Sequence, residues 1–97
     1  MSLAPHIAPV VRRAILDFLN DTGGEQNDDV LARSLVGIGH RVARRDVAEE
    51  LRFLAAAKLV LIEEVGPFLV ADITPDGIDV SDGNLRVDGV HRHRTGR

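Results

Sequence analysis

Between Val47 and Ile73 the apolar residues change period, and that change constrains the fold more than any other feature of the chain. Val47, Leu51 and Leu54 recur at helical spacing and so mark one buried helix face. From Leu59 the chain reads LVLIEEVGPFLVADI, two short runs rich in branched residues around the turn signal Gly66-Pro67. In the second run Leu69, Ala71 and Ile73 share one face, while Phe68, Val70 and Asp72 share the other. A helix over residues 44–57 that passes almost directly into a hairpin must pack on that hairpin.

The N-terminal part adds two more helices. Pro9 suits a first-turn position, and Val11, Ile15, Phe18 and Leu19 continue from it at helical spacing until Gly23-Gly24. Asn27 is placed to cap a second helix, with Asp28 and Asp29 favourable against the dipole of its first turn. Leu31, Leu35 and Ile38 form its expected apolar stripe, and Gly37 and Gly39 end it. After the hairpin, Thr74-Pro75-Asp76 reads as an N-cap followed by Pro at the first position of a short fourth helix. Beyond Gly83 the periodicity fades into LRVDGVHRHRTGR, expected to be extended or disordered apart from Leu85 and Val87, which are placed to dock. The expected organisation is an α+β domain over residues 1–82, with three helices, a two-stranded β-hairpin and a short C-terminal helix, then a basic tail over residues 83–97.

At 97 residues the chain is long enough for one modest core. It has no cysteine, which removes disulfides, thiolate metal sites and a cysteine nucleophile. Met1 to Leu19 lacks the pattern of a secretory signal, and no apolar run approaches the ~20 residues that span a bilayer. The expectation is a soluble, cytoplasmic protein. The net charge of −3 conceals alternating blocks. Residues 21–32 are acidic, residues 33–45 carry Arg33, Arg41, Arg44 and Arg45, residues 59–82 hold six acids and no Lys or Arg, and the tail is basic again. The net charge argues against a nucleic-acid partner, whereas the two separate basic blocks argue for one.

The stretch from Gly39 to Ala71 resembles the third helix and wing of ArsR-like winged-helix regulators. Val42, Val47, Leu51, Leu54, Leu59 and Val60 fill the positions that carry the likeness. The chain length, the TPDG segment after the hairpin and the short basic tail are also similar to the small winged-helix proteins encoded by Mu-like prophages. The resemblance implies a winged helix-turn-helix whose third helix enters the major groove of double-stranded DNA, in a transcriptional regulator that pairs as a homodimer. The cysteines with which ArsR-type repressors sense metals are missing, so metal sensing does not carry over.

On a helical projection with Leu51 at zero, Val47 and Leu54 fall about 40° and 60° to one side. Arg45, Glu49, Arg52 and Ala56 fall at roughly 100–160° on the other, hence outward. Arg45 and Arg52 are therefore the candidates for base contact, since the planar guanidinium suits guanine edges and phosphates alike. Arg41 and Arg44 are the candidates for phosphate contact, and Arg92 and Arg94 would let the tail lie along the backbone. Two features favour the alternative, a protein-binding adaptor in phage assembly that does not bind DNA. Glu63-Glu64 stands where a phosphate-binding wing wants Arg or Lys, and Phe53 projects about 160° from Leu51, so it either packs against the tail or the first helix or sits in a subunit interface, where aromatics are enriched. The pair Arg45 and Glu49, at i and i+4, also has the spacing of a solvated helix ion pair.

Signals for chemistry do not survive inspection. Asp21-Thr22-Gly23 matches the triplet of aspartic proteases but follows a helical repeat rather than a strand. Gly37-Ile38-Gly39 lacks the third glycine and the preceding strand of a dinucleotide loop. His91 and His93 have no carboxylate or thiolate beside them to complete a metal site. No catalytic residue, cofactor or metal is expected.

Overall fold

Three apolar helix faces converge on one side of a small antiparallel sheet, and the computed structural model describes this arrangement for residues 3–92. Helix α1 (Ala8–Asp21) starts with Pro9 in its first turn and buries Val11, Ile15, Leu16 and Leu19. Helix α2 (Asp28–Gly37) is capped as the sequence predicts: the Asn27 side chain accepts from the Val30 N–H at 2.9 Å. It buries Leu31, Ala32 and Leu35. Helix α3 (Arg44–Ala56) has Ala43 at its N-cap with no side-chain bond, and contributes Val47, Leu51 and Leu54 to the core. Ile38 departs from the expected stripe. It lies past the end of α2 and is 65% exposed, because the chain turns away there before a further helical turn can bring it inward.

The sheet has three strands, not two. Strands β2 (Val60–Val65) and β3 (Phe68–Ile73) form the expected hairpin, with Val65 opposite Phe68 and Val60 opposite Ile73. The additional strand β1 (Glu25–Asn27) pairs along the other edge of β3, giving the order β1-β3-β2. Its sequence, EQN, has no apolar residue and no alternation. It is a strand because β3 offers it a free row of backbone groups, and a hydrogen bond from the Ile73 N–H to the Gly24 carbonyl at 2.8 Å extends the contact.

Helix α4 (Pro75–Ser81) begins as expected, with the Thr74 hydroxyl accepting from the Gly77 N–H at 3.0 Å. It sits so close to the start of β2 that a Cβ on Gly77 would lie 2.1 Å from the Leu59 carbonyl oxygen. Only glycine permits that approach. Residues 83–92 are irregular but fastened: the His91 N–H donates to the Pro9 carbonyl at 3.1 Å, and Val87 and Val90 pack against the core. Leu85 stays 38% exposed. Among the described residues no helix is long and apolar enough to cross a membrane.

The four helices of the described residues end alike. The amide two residues beyond the cap bonds back to a carbonyl in the last turn: Gly24 to Leu19, His40 to Leu35, Leu59 to Leu54, and Asn84 to Asp79. Three of these ends place glycine in the left-handed region, but α3 places Lys58 there, at φ 65°. A side chain in that conformation costs about 1 kcal/mol or more. Lys58→Gly should therefore raise the thermal midpoint by about 4–8 °C in a domain of this size, as read by circular dichroism melting.

Candidate functional site

An open groove of about 730 Å³ runs between α3 and the β2–β3 turn. Arg44, Arg45, Ala48 and Arg52 form its helical wall, and Glu64, Gly66, Pro67 and Phe68 form the wall opposite. The residues of the helical wall lie on the flank of α3 beside its buried stripe of Val47, Leu51 and Leu54.

The outward stripe of α3 falls where the projection puts it: Arg45, Glu49, Arg52 and Ala56 are all exposed. Arg41, in the turn before the helix, is exposed as well. Arg45 and Glu49 are not joined as an i,i+4 pair. Among the described residues neither Arg41 nor Arg45 has a carboxylate within 4.0 Å. Arg52 lies 3.9 Å from Glu64 across the groove, a long contact between two exposed side chains that solvent screens. The groove thus presents one uncompensated guanidinium, that of Arg45, and a second, that of Arg52, which is loosely held; the exposed Arg41 stands in the turn before the helix.

Arg44, read from the sequence as a phosphate contact, is bound within the chain. Its Nε donates to Asp28 Oδ2 at 3.2 Å, a terminal nitrogen donates to the Pro67 carbonyl, and its guanidinium lies 4.8 Å from the centre of the Phe68 ring. Asp28 is itself buried at 4% exposure, and its other oxygen accepts from the Leu69 N–H at 3.2 Å. One carboxylate therefore ties the start of α2 to β3 and, through Arg44, to α3 and the hairpin turn. Arg44 shapes the groove floor rather than standing free at its mouth.

Phe53, read as an interface residue, packs inside the chain. The Arg12 guanidinium stacks over its ring at 3.6 Å, and Gly89, at φ 89°, comes so close that a Cβ there would lie 2.6 Å from Cζ. Arg12 also donates to the buried Glu50 carboxylate at 2.5 Å and to the Gly89 carbonyl at 2.8 Å. Next to it, the buried Arg13 donates to the Ser81 and His91 carbonyls. These two arginines clasp α3, α4 and the segment 83–92 onto α1. The sequence held one signal for this clasp: Glu50 projects at about 100° from Leu51, on the flank of the core stripe towards Phe53. Arg92 is exposed, and Arg94 lies outside the described residues. Among the described residues no three His, Asp or Glu side chains come together as a metal site.

No protein-family model and no solved structure matches the chain. It is, however, 39% identical over 83 residues to the uncharacterized protein gp26 of Escherichia phage Mu, an alignment that covers 86% of each chain. The chain belongs to the family of phage Mu gp26. As a gp26-family protein it is a Mu-like phage protein, and an alignment of this extent takes in most of the fold described above.

The Asp28 bridge makes a direct prediction for this gp26-family fold. Asp28→Ala should lower stability by about 2–3 kcal/mol, because it orphans the buried Leu69 N–H and leaves Arg44 without its counter-ion. Arg33→Ala, which breaks only the exposed pair with Asp29, should change it by less than about 0.5 kcal/mol. Urea denaturation midpoints measure both.

Proposed function

We propose that this gp26-family protein is a winged helix-turn-helix DNA-binding protein that acts as a homodimeric phage transcriptional regulator. In this reading α2 and α3 are the helix pair and β2–β3 is the wing. The observation that carries it is the exposed pair Arg45 and Arg52 on the groove wall, with Arg41 exposed in the turn before α3; among the described residues neither Arg41 nor Arg45 has a carboxylate within 4.0 Å. A guanidinium left unpaired at the N-terminal end of an outward helix face suits an anionic surface. Major-groove recognition uses that end of a helix.

Each arginine then has its own part. Arg45 reaches base edges or phosphates from the first turn of α3. Arg41 holds the backbone beside it, and Arg52 exchanges Glu64 for a phosphate. Arg44 keeps α3 and the wing in register through Asp28 and Pro67. The exposed Arg92, followed by Arg94, adds affinity that does not depend on sequence. In a two-fold dimer two such helices would meet successive turns of one duplex.

A second reading, a protein-binding adaptor in phage assembly, is favoured by the exposed pair Glu63 and Glu64 on the hairpin, where a wing held against phosphates carries cations. Fluorescence anisotropy of a labelled mixed-sequence duplex separates the two. Under the DNA reading, binding weakens about 10²-fold between roughly 50 and 200 mM salt, as about four phosphate contacts require, and Arg45→Glu with Arg52→Glu abolishes it. Absence of binding at the lower salt would instead favour the adaptor.

A further inference from the structure

Glu49, a charged side chain on the outward face of α3, has no part in the DNA reading. It stands one turn beyond Arg45 and one turn before Arg52 and Phe53, and it is exposed like both arginines. On the helical projection the buried stripe of Val47, Leu51 and Leu54 centres near about −30°, so the direction straight away from the core lies at about 150°. Arg45 falls at about 120° and Glu49 at about 160°, one on each side of that direction. Arg52, at about 100°, leans towards the hairpin, where it meets Glu64. The two charged side chains that stand furthest from the core are therefore Arg45 and Glu49. Their spacing of four would allow an ion pair, yet among the described residues Glu49 has no cation and Arg45 no carboxylate within 4.0 Å. A cation ahead of Glu is the weaker order for such a helical pair. Both groups stay open to a partner.

We infer that Glu49 is a specificity-determining residue of α3. Its carboxylate accepts from the N4 amino group of a cytosine in the major groove, while Arg45 donates to O6 and N7 of a guanine close by. On the DNA reading, on which this assignment rests, the target then holds a guanine and a cytosine within about two base pairs of each other. Four residues of helix advance about 6 Å, and base pairs are stacked about 3.4 Å apart. The base edges select cytosine. An ionised carboxylate only accepts hydrogen bonds, so it needs a donor. Guanine offers it two acceptors, and thymine an acceptor and a methyl group. Adenine has an amino group, but its N7 acceptor stands beside it, whereas cytosine presents its amino group without one.

The test is selection of binding sites by the full chain from a pool of random duplexes, followed by anisotropy on the selected site and its single-base variants. The wild-type chain should enrich a site with a guanine and a cytosine so spaced. Glu49→Gln should move the preference at the cytosine position to adenine, because an amide pairs with both N6 and N7 of that base, and the ratio of the two affinities should change by about tenfold or more. Glu49→Ala should abolish the preference at that position alone. Asp79→Ala on α4, an equal change of net charge at an exposed position, should leave every base preference as it is. Unchanged preferences in both Glu49 variants overturn the inference and leave the DNA reading standing, as does binding of random duplex with no sequence enriched. Absence of any duplex binding overturns both. Loss of preference at every position in Glu49→Ala, with an unchanged melting curve, also overturns the single-base contact.

Discussion

The Asp28 carboxylate is shared between a backbone amide and an arginine, and the placement of α3 against the hairpin depends on it. One oxygen takes the Leu69 N–H and the other takes Arg44, which in turn reaches the Pro67 carbonyl and the Phe68 ring. The apolar residues of α3 and the sheet would pack together without this bridge. Apolar contact is non-directional, however, and sets the position of neither the hairpin turn nor the groove wall. A buried charge has no such latitude, since burial is tolerable only with its partners in place. Groove geometry thus follows from a residue at the start of α2 that never faces the groove mouth.

The arginines divide into two kinds that composition alone cannot separate. Arg12, Arg13 and Arg44 are consumed by the fold: they satisfy Glu50, Asp28 and the carbonyls of Pro67, Ser81, Gly89 and His91. Arg41 and Arg45 remain uncommitted within the described chain. A net charge of −3 therefore understates how sharply charge is sorted, because the fold neutralises cations in its interior seams and leaves others free along one helix face. The acids behave likewise. Asp28 and Glu50 are buried in pairs, whereas Glu25, Glu63 and Asp72 collect on the outer face of the sheet.

The family relation to phage Mu gp26 sets this charge arrangement in a Mu-like phage protein. Segment 83–92 closes the chain on its own start, since it returns to α1 and lays Gly89 against Phe53. That return consumes the aromatic residue whose outward position on α3 made it look like an interface residue. Its covering is supplied from the end of the same chain.

Periodicity and capping chemistry were legible in the sequence, because they are local. Helical spacing places Val47, Leu51 and Leu54 on one face, Asn27 and Thr74 cap the helices that follow them, and Gly66-Pro67 turns the hairpin, whatever the rest of the chain does. The outward position of Arg45 and Arg52 follows from the same rule. Strand β1, the commitment of Arg44 and the exposure of Ile38 were not legible, and for Phe53 the sequence left packing against the tail or first helix open beside an interface. Each depends on which distant groups tertiary packing brings within a hydrogen bond or a van der Waals contact: β3 beside Glu25–Asn27, Asp28 beside Arg44, and Gly89 and Arg12 beside Phe53. The sequence by itself determined where the helices and the β2–β3 hairpin form and which way their faces point. Tertiary structure alone decided which charges remain free to meet a partner, because a charge is free only after every neighbour that could satisfy it has been placed.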